Sequence, residues 1–166
     1  MIIEIKAFEQ FIQNNQTTQG FYCLIDGAQI DREQITPIED TFGSCHYLFK
    51  DTFEEEAYQY GGILIDLNLI TSDQLNNIIT LMKQSNAMIF FKSSLSIKPL
   101  KNTLLEKLYL ELEDDGIGIL RFYDPRVLNR LNQILSLEQK KDFMDGIDAY
   151  YFMLNHIGYE ISTNET

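Results

Sequence analysis

Three aspartates stand at the ends of apolar stretches that resemble buried strands: Asp26, Asp66 and Asp124. In an open α/β sheet the carboxyl ends of parallel strands form a shared crevice, and carboxylates gathered there can hold Mg²⁺ for phosphoryl chemistry. Two of the three have a structural explanation. Asp26 leads into Gly27 rather than into a second aspartate, and Asp124 followed by Pro125 is typical of a helix start. A Mg²⁺-dependent phosphohydrolase is therefore a minor alternative, and no metal site is predicted.

The other reactive side chains match no catalytic pattern. His46 and His156 have no serine, cysteine or carboxylate at a recognisable catalytic spacing. Cys23 and Cys45 lack a metal-binding spacing, and in a chain without a secretory signal we expect them to be reduced packing residues. The sequence thus predicts a protein that is not an enzyme and that binds no cofactor.

Composition and charge exclude several classes of partner. The chain of 166 residues has 13 basic and 25 acidic side chains, which gives a net charge of −12. This charge repels nucleic-acid phosphates and anionic lipid, so we expect neither nucleic-acid binding nor membrane insertion. No run of the chain reaches the roughly 18 apolar residues of a membrane span. Because the sequence shows no signal peptide, the predicted location is the cytoplasm.

The elements that would position these side chains alternate along the chain. Four apolar runs are typical of buried strands: 21–25, 63–67, 87–91 and 149–154. Helices are predicted to follow four polar residues: Thr71, Ser96, Asp124 and Ser136. The helix after Ser96 is expected to extend to Leu112, and Ser136 with Gln139 is expected to form a capping box. A short acidic helix after Thr52 and an N-terminal helix over 3–13 complete the pattern. Since such strands must be buried on both faces, we expect an α/β fold with a mixed or largely parallel sheet covered by helices.

The length of the chain is that of one domain with its own core. No repeat, low-complexity tract or long linker divides the sequence. Residues 1–166 are therefore predicted to form a single domain, with a division into two lobes near residue 95 as the alternative.

Charged and aromatic side chains meet at a predicted strand-to-helix junction, residues 117–128. The apolar run 117–123 is expected to be a strand, and a buried Arg121 within it would need a carboxylate or several carbonyls as partners. Neighbouring strand residues point to opposite faces, so the rings in 122–123 and 150–152 are expected to include exposed ones. Exposed rings beside arginine are typical of binding hot spots, which favours an interaction surface.

Several motifs follow the order found in one bacterial family. They are FYCLIDGA at 21–28, YGGILI at 60–65, FFKSSL at 90–95 and RFYDPRVL at 121–128, with Phe143, Gly146 and Tyr150 after them. In these motifs the chain resembles the adaptor or chaperone family of type VI secretion effectors over about residues 20–152, and RFYDPRVL is the most specific. Gly62, Ile63 and Tyr150 stand where the family usually has a proline and two tryptophans.

The resemblance implies a non-enzymatic, cytoplasmic adaptor. Such a protein holds the N-terminal segment of a secreted effector, often apolar and helical, and helps to load it onto the spike protein. On this basis four residues are expected to border the partner-binding groove: Tyr123, Arg126, Tyr150 and Phe152. Five residues are expected to form the structural motif that shapes it: Asp26, Gly27, Arg121, Asp124 and Pro125. The main alternative is an acidic immunity-type protein that neutralises a toxin directly.

Overall fold

A seven-stranded sheet and a separate two-stranded hairpin organise the chain. The structure is a computed structural model that describes residues 2–39 and 43–163. The described strands are β1 (Ile2–Ile5), β2 (Phe21–Asp26), β3 (Cys45–Tyr47), β4 (Gly62–Asp66), β5 (Met88–Lys92), β6 (Tyr109–Glu111), β7 (Ile117–Ile119), β8 (Ala149–Leu154) and β9 (Ile157–Ser162). The described α-helices are α1 (Phe8–Asn15), α2 (Arg32–Glu39), α3 (Ser72–Gln84), α4 (Ile97–Leu108), α5 (Pro125–Ile134) and α6 (Leu137–Met144). Two 3-10 helices, Glu55–Tyr60 and Leu67–Leu69, flank β4.

Neighbouring strands of the large sheet are all antiparallel, in the order β1-β9-β8-β5-β2-β4-β3. The prediction of a mixed or largely parallel α/β sheet is therefore wrong. The prediction rested on continuous apolar runs, and these are present, since all six residues of β2 are buried. A continuous apolar run shows that both faces of a strand are covered, but it carries no information about strand direction.

Helices cover both faces of the sheet, which explains why its central strands are apolar throughout. On one face, α1, α2 and α3 share a core with the alternate β2 residues Phe21, Cys23 and Ile25. On the other face, α4, α5 and α6 share a core with Tyr22 and Leu24. This division follows from the two-residue period of a strand. Strands from both sides of residue 95 lie in this sheet, because β5 pairs with β8.

The local signals for three helix starts are confirmed. Thr71 before α3 and Ser136 before α6 each form a capping box, which was predicted at Ser136. Asp124 is the N-cap of α5, and its side chain accepts a hydrogen bond from the backbone N–H of Arg126 at 2.8 Å. These signals act within one turn of the chain, so the surrounding fold does not override them.

Two N-terminal predictions are wrong. The first residues of the expected helix over 3–13 belong instead to the edge strand β1, which pairs with β9, and α1 begins only at Phe8. Thr52 does not cap an α-helix, because its Oγ1 accepts a hydrogen bond from the backbone N–H of Glu54 at 3.2 Å in a turn that leads into a 3-10 helix. Pairing with the distant strand β9 decides the first outcome, and hydrogen bonds within the turn around Thr52 decide the second.

Candidate functional site

Asp26 ends β2 and is completely buried, with a relative exposure of 0%. Its carboxylate accepts hydrogen bonds from the backbone N–H of Ala28 at 3.1 Å and from Gln29 Nε2 at 2.7 Å. The guanidinium of Arg121 forms a close ion pair with the same carboxylate. The expectation that Arg121 needs a carboxylate is confirmed, although its side chain is 45% exposed rather than buried. The buried charge of this pair is therefore the aspartate.

A second carboxylate, Asp124, lies beside this pair at the start of α5. Arg126 donates to it from Nε at 2.9 Å and from its backbone N–H at 2.8 Å. Burial raises the pKa of Asp124, but the hydrogen bonds and charge of Arg126 outweigh burial, so the pKa lies below its ordinary value. Gln29 Nε2 donates to both carboxylates, to Asp26 at 2.7 Å and to Asp124 at 3.4 Å. Gln29 was not among the predicted site residues, although its position three residues after Asp26 places it in the same turn.

Gly27 and Pro125 fix the backbone at this corner. A Cβ atom on Gly27 would lie 2.1 Å from the carbonyl oxygen of Gln59, so a side chain has no room there. Pro125 is buried in the first turn of α5, where the N–H that it lacks would have no partner within the helix. The residues expected to form the structural motif thus lie around one corner of the sheet: Asp26, Gly27, Arg121, Asp124 and Pro125.

The aromatic side chains expected to border a partner groove lie inside the protein. Tyr123 is 1% exposed, and Tyr150 and Phe152 are 0% exposed. All five rings in 122–123 and 150–152 are buried, so the expectation of exposed rings among them is wrong. The rings of 150–152 lie in β8, whose two faces are covered by helices, whereas those of 122–123 lie in a turn before α5 that packs into the same core as α4, α5 and α6. Arg126 does have an exposed side chain, at 58%. Contact between a partner and the three rings stays a prediction, and it would require the covering helices to move.

The aspartates considered for Mg²⁺ binding do not converge. Asp66 lies opposite Tyr22, at the other end of β2 from Asp26, because β2 and β4 run antiparallel. This separation is about 14 Å along a strand. The described residues contain no group of three or more histidine, cysteine or acidic side chains that could hold a metal ion.

Burial, with Glu39 nearby, raises the pKa of the Cys45 thiol to about 12, which keeps it protonated at neutral pH.

An open apolar groove lies between α4, α5, α6 and the hairpin β6–β7, and we call it the α4–α6 groove. Its volume is about 410 Å³. Its apolar walls consist of Leu110, Leu120, Leu131, Leu135 and Phe143. Its rim consists of Thr103, Glu106, Lys107, Gln139, Asp142 and Asp145. Apolar walls with a few polar groups around them are typical of binding sites.

Exposed apolar side chains also occur on the elements that form the α4–α6 groove. On the hairpin, Leu110 is 42% exposed and Leu112 is 47% exposed, whereas Ile117, at 73%, pairs with Glu111 and lies on the face opposite Leu110. On the helices, Ile134 at the end of α5 and Leu137 at the start of α6 are 59% and 64% exposed. Apolar side chains that gather on one part of a surface mark an interaction site more often than apolar side chains that stand singly.

This surface was not predicted, because the helix after Ser96 was expected to extend to Leu112. The structure ends α4 at Leu108, and Tyr109–Glu111 then pairs with Ile117–Ile119 as an antiparallel hairpin. The predicted strand over 117–123 is confirmed only in its first three residues. The acidic run 113–115 followed by glycine could have revealed the hairpin, because such a run is typical of a turn between two short strands.

These features define an α+β domain with an antiparallel sheet, a carboxylate–arginine corner and an exposed apolar groove. The chain belongs to the family described as domain of unknown function DUF4123, whose model matches residues 21–142. The match runs from β2 into α6 and includes the corner and most of the groove. No curated protein and no solved structure matched the chain. In the part of the chain that the structure describes, the helices are too short or too polar to cross a membrane.

Proposed function

We propose that this protein is a non-enzymatic adaptor that binds the N-terminal segment of a type VI secretion effector in the cytoplasm and helps to load it onto the spike protein. Membership of the DUF4123 family supports the proposal, as does the resemblance of residues 121–128 to the effector adaptors. The observation that carries it is the α4–α6 groove, an open apolar surface on a protein with a net charge of −12.

The α4–α6 groove is suited to shield an apolar client segment from water. Each Å² of apolar surface that the two chains cover stabilises the complex by about 25 cal/mol. A client that covers about 300 Å² of apolar surface would contribute about 7.5 kcal/mol before the entropic cost of association. The wall residue Leu110 is 42% exposed, so part of this surface is open to a client.

The residues first expected to touch the partner have a different place in this proposal. Tyr150 supports the groove from inside, since its ring centroid lies 5.6 Å from that of the wall residue Phe143. Tyr123 and Phe152 belong to the same buried core. Arg126 remains exposed at the corner. The proposed client site is therefore the groove on the outer side of the helices and not the buried rings beneath them.

Co-expression with the effectors encoded beside the gene tests the proposal. We expect a full-length effector to co-purify with the adaptor and a form without its N-terminal segment not to do so. Leu110→Asp should weaken this capture strongly, because it places a charge on an apolar wall of the groove. Leu69→Asp is the matched control. Leu69 is 50% exposed, lies in the 3-10 helix after β4 and does not line the groove.

Both variants should unfold at the wild-type temperature, because both side chains are already half in water. Capture by Leu110→Asp at the wild-type level would refute the groove as the client site. Capture of the toxic domain without the N-terminal segment would indicate an immunity protein instead. Effector export from cells that lack the adaptor should fall to background.

A further inference from the structure

The rim of the α4–α6 groove is acidic on both of its walls. Glu106 on α4 forms one side, and Asp142 on α6 with Asp145 just after it forms the other. All three side chains are exposed. None of them takes part in an ion pair among the described residues. The carboxylates are therefore free to contact a bound molecule.

The basic residue of this rim, Lys107, already has partners within the protein. Lys107 Nζ donates to the backbone carbonyl oxygen of Asp145 at 2.8 Å and lies 5.7 Å from the ring centroid of Phe143. Burial lowers the pKa of Lys107, against the opposing effect of Asp145 and Glu106. The single cation of Lys107 offsets part of the charge of Glu106 and Asp145, and the three rim carboxylates outnumber it.

We infer that the α4–α6 groove binds a cationic amphipathic helix, one whose apolar face carries lysine or arginine along both flanks. This inference rests on the proposed function and names the chemistry of the client. The apolar walls require an apolar face, and the acidic residues on both sides require cations beside that face. On a helix, residues three and four apart share a face, so a single segment supplies both features.

A helix also matches the shape of the site better than a strand. Leu131 on α5 and Leu135, the residue that caps its C-terminus, both belong to the wall, against which the side chains of a second helix can pack. Added strands bind through an open sheet edge, and neither edge of the large sheet, β1 or β3, contributes a residue to the groove. The hairpin borders the groove through Leu110 of β6, which stands among its apolar walls.

Two synthetic peptides of equal length test the charge preference on the purified full chain. Both place leucine at helical spacing on one face, and one carries lysine at the other positions whereas the second carries glutamate. We expect the leucine–lysine peptide to bind at least about tenfold more tightly, and its affinity to fall as salt is added. A lysine peptide with serine in place of leucine controls for charge alone and should bind weakly.

Matched charge variants separate the groove from the overall acidity of the protein. The double variant Glu106→Gln with Asp142→Asn should weaken leucine–lysine binding about fivefold, the effect of two exposed ion pairs. The control, Glu33→Gln with Asp73→Asn, makes the same chemical changes on α2 and α3, across the sheet, and should change affinity less than twofold. Equal effects of the two double variants, or equal affinity for the lysine and glutamate peptides, would overturn the inference. Effector capture that depends on Leu110 would survive such a result, so the proposed function and this inference can fail separately.

Discussion

Replacing either partner of the Asp26–Arg121 pair should have unequal effects on stability. Asp26 is 0% exposed, whereas the Arg121 side chain is 45% exposed. Arg121→Met leaves a buried carboxylate without its cation, which should lower the free energy of unfolding by about 3 kcal/mol. This value is the lower end of the range for a broken buried ion pair, because Ala28 and Gln29 still donate hydrogen bonds to the carboxylate. Asp26→Asn leaves a guanidinium that water can solvate, and the new amide oxygen keeps an acceptor for Ala28. Its NH₂ group replaces the oxygen that accepts from Gln29 and Arg121, so the cost should be about 2 kcal/mol.

Urea unfolding of the two single variants and the double variant measures this asymmetry. The double variant should be more stable than Arg121→Met alone, because it no longer buries a charge. A wild-type slope of unfolding free energy against urea would show that the denatured state is unchanged. If Asp26→Asn proves as destabilising as Arg121→Met, the assignment of the buried charge to Asp26 is refuted.

Three further predictions concern the same region and the core behind it. Gly27→Ala should lower the free energy of unfolding by about 3 kcal/mol or prevent folding, since its Cβ would lie 2.1 Å from Gln59 O; a wild-type urea midpoint would contradict this. The pKa of Asp124 lies below its ordinary value of 3.8, so its contribution to stability is present above that pH and is lost as the pH falls through the lower folded value. Stability measured between pH 5 and pH 2.5 should therefore fall less steeply in Asp124→Asn than in the wild type, and equal slopes would argue against the shift. Tyr150 Oη is buried without a hydrogen-bond partner among the described residues, so Tyr150→Phe should raise the melting temperature or leave it unchanged. A clear loss of stability would instead indicate a hydrogen bond that the structure does not contain.

Local sequence signals predicted individual elements well but not their arrangement. The caps at Thr71, Asp124 and Ser136 and the apolar runs of β2, β4, β5 and β8 are confirmed, because each depends on a few neighbouring residues. Strand direction depends on how the connections run, and the apolar pattern of a strand with both faces covered does not record it. The error about direction also produced the Mg²⁺ hypothesis, which needed Asp26 and Asp66 at the same edge.

The candidate site was predictable only in part. The requirement of Arg121 for a carboxylate followed from its charge, but the sequence did not identify Asp26 as the partner, 95 positions away. The exposed rings were predicted from strand alternation, which holds when one face of a sheet is open to water. Here helices occupy both faces, and the apolar surface lies on the hairpin and on α5 and α6 instead.

The order of strands in the large sheet leaves the chain open to aggregation while it is being synthesised on the ribosome. β2, β4 and β5 lie side by side and all emerge before residue 93, but the strand that covers the other edge of β5, β8, begins only at Ala149. Until it emerges, the buried residues of β5 present an apolar, unpaired edge that a neighbouring nascent chain can join. A protein proposed to protect the apolar segments of a client is itself exposed to aggregation during that interval of its own synthesis.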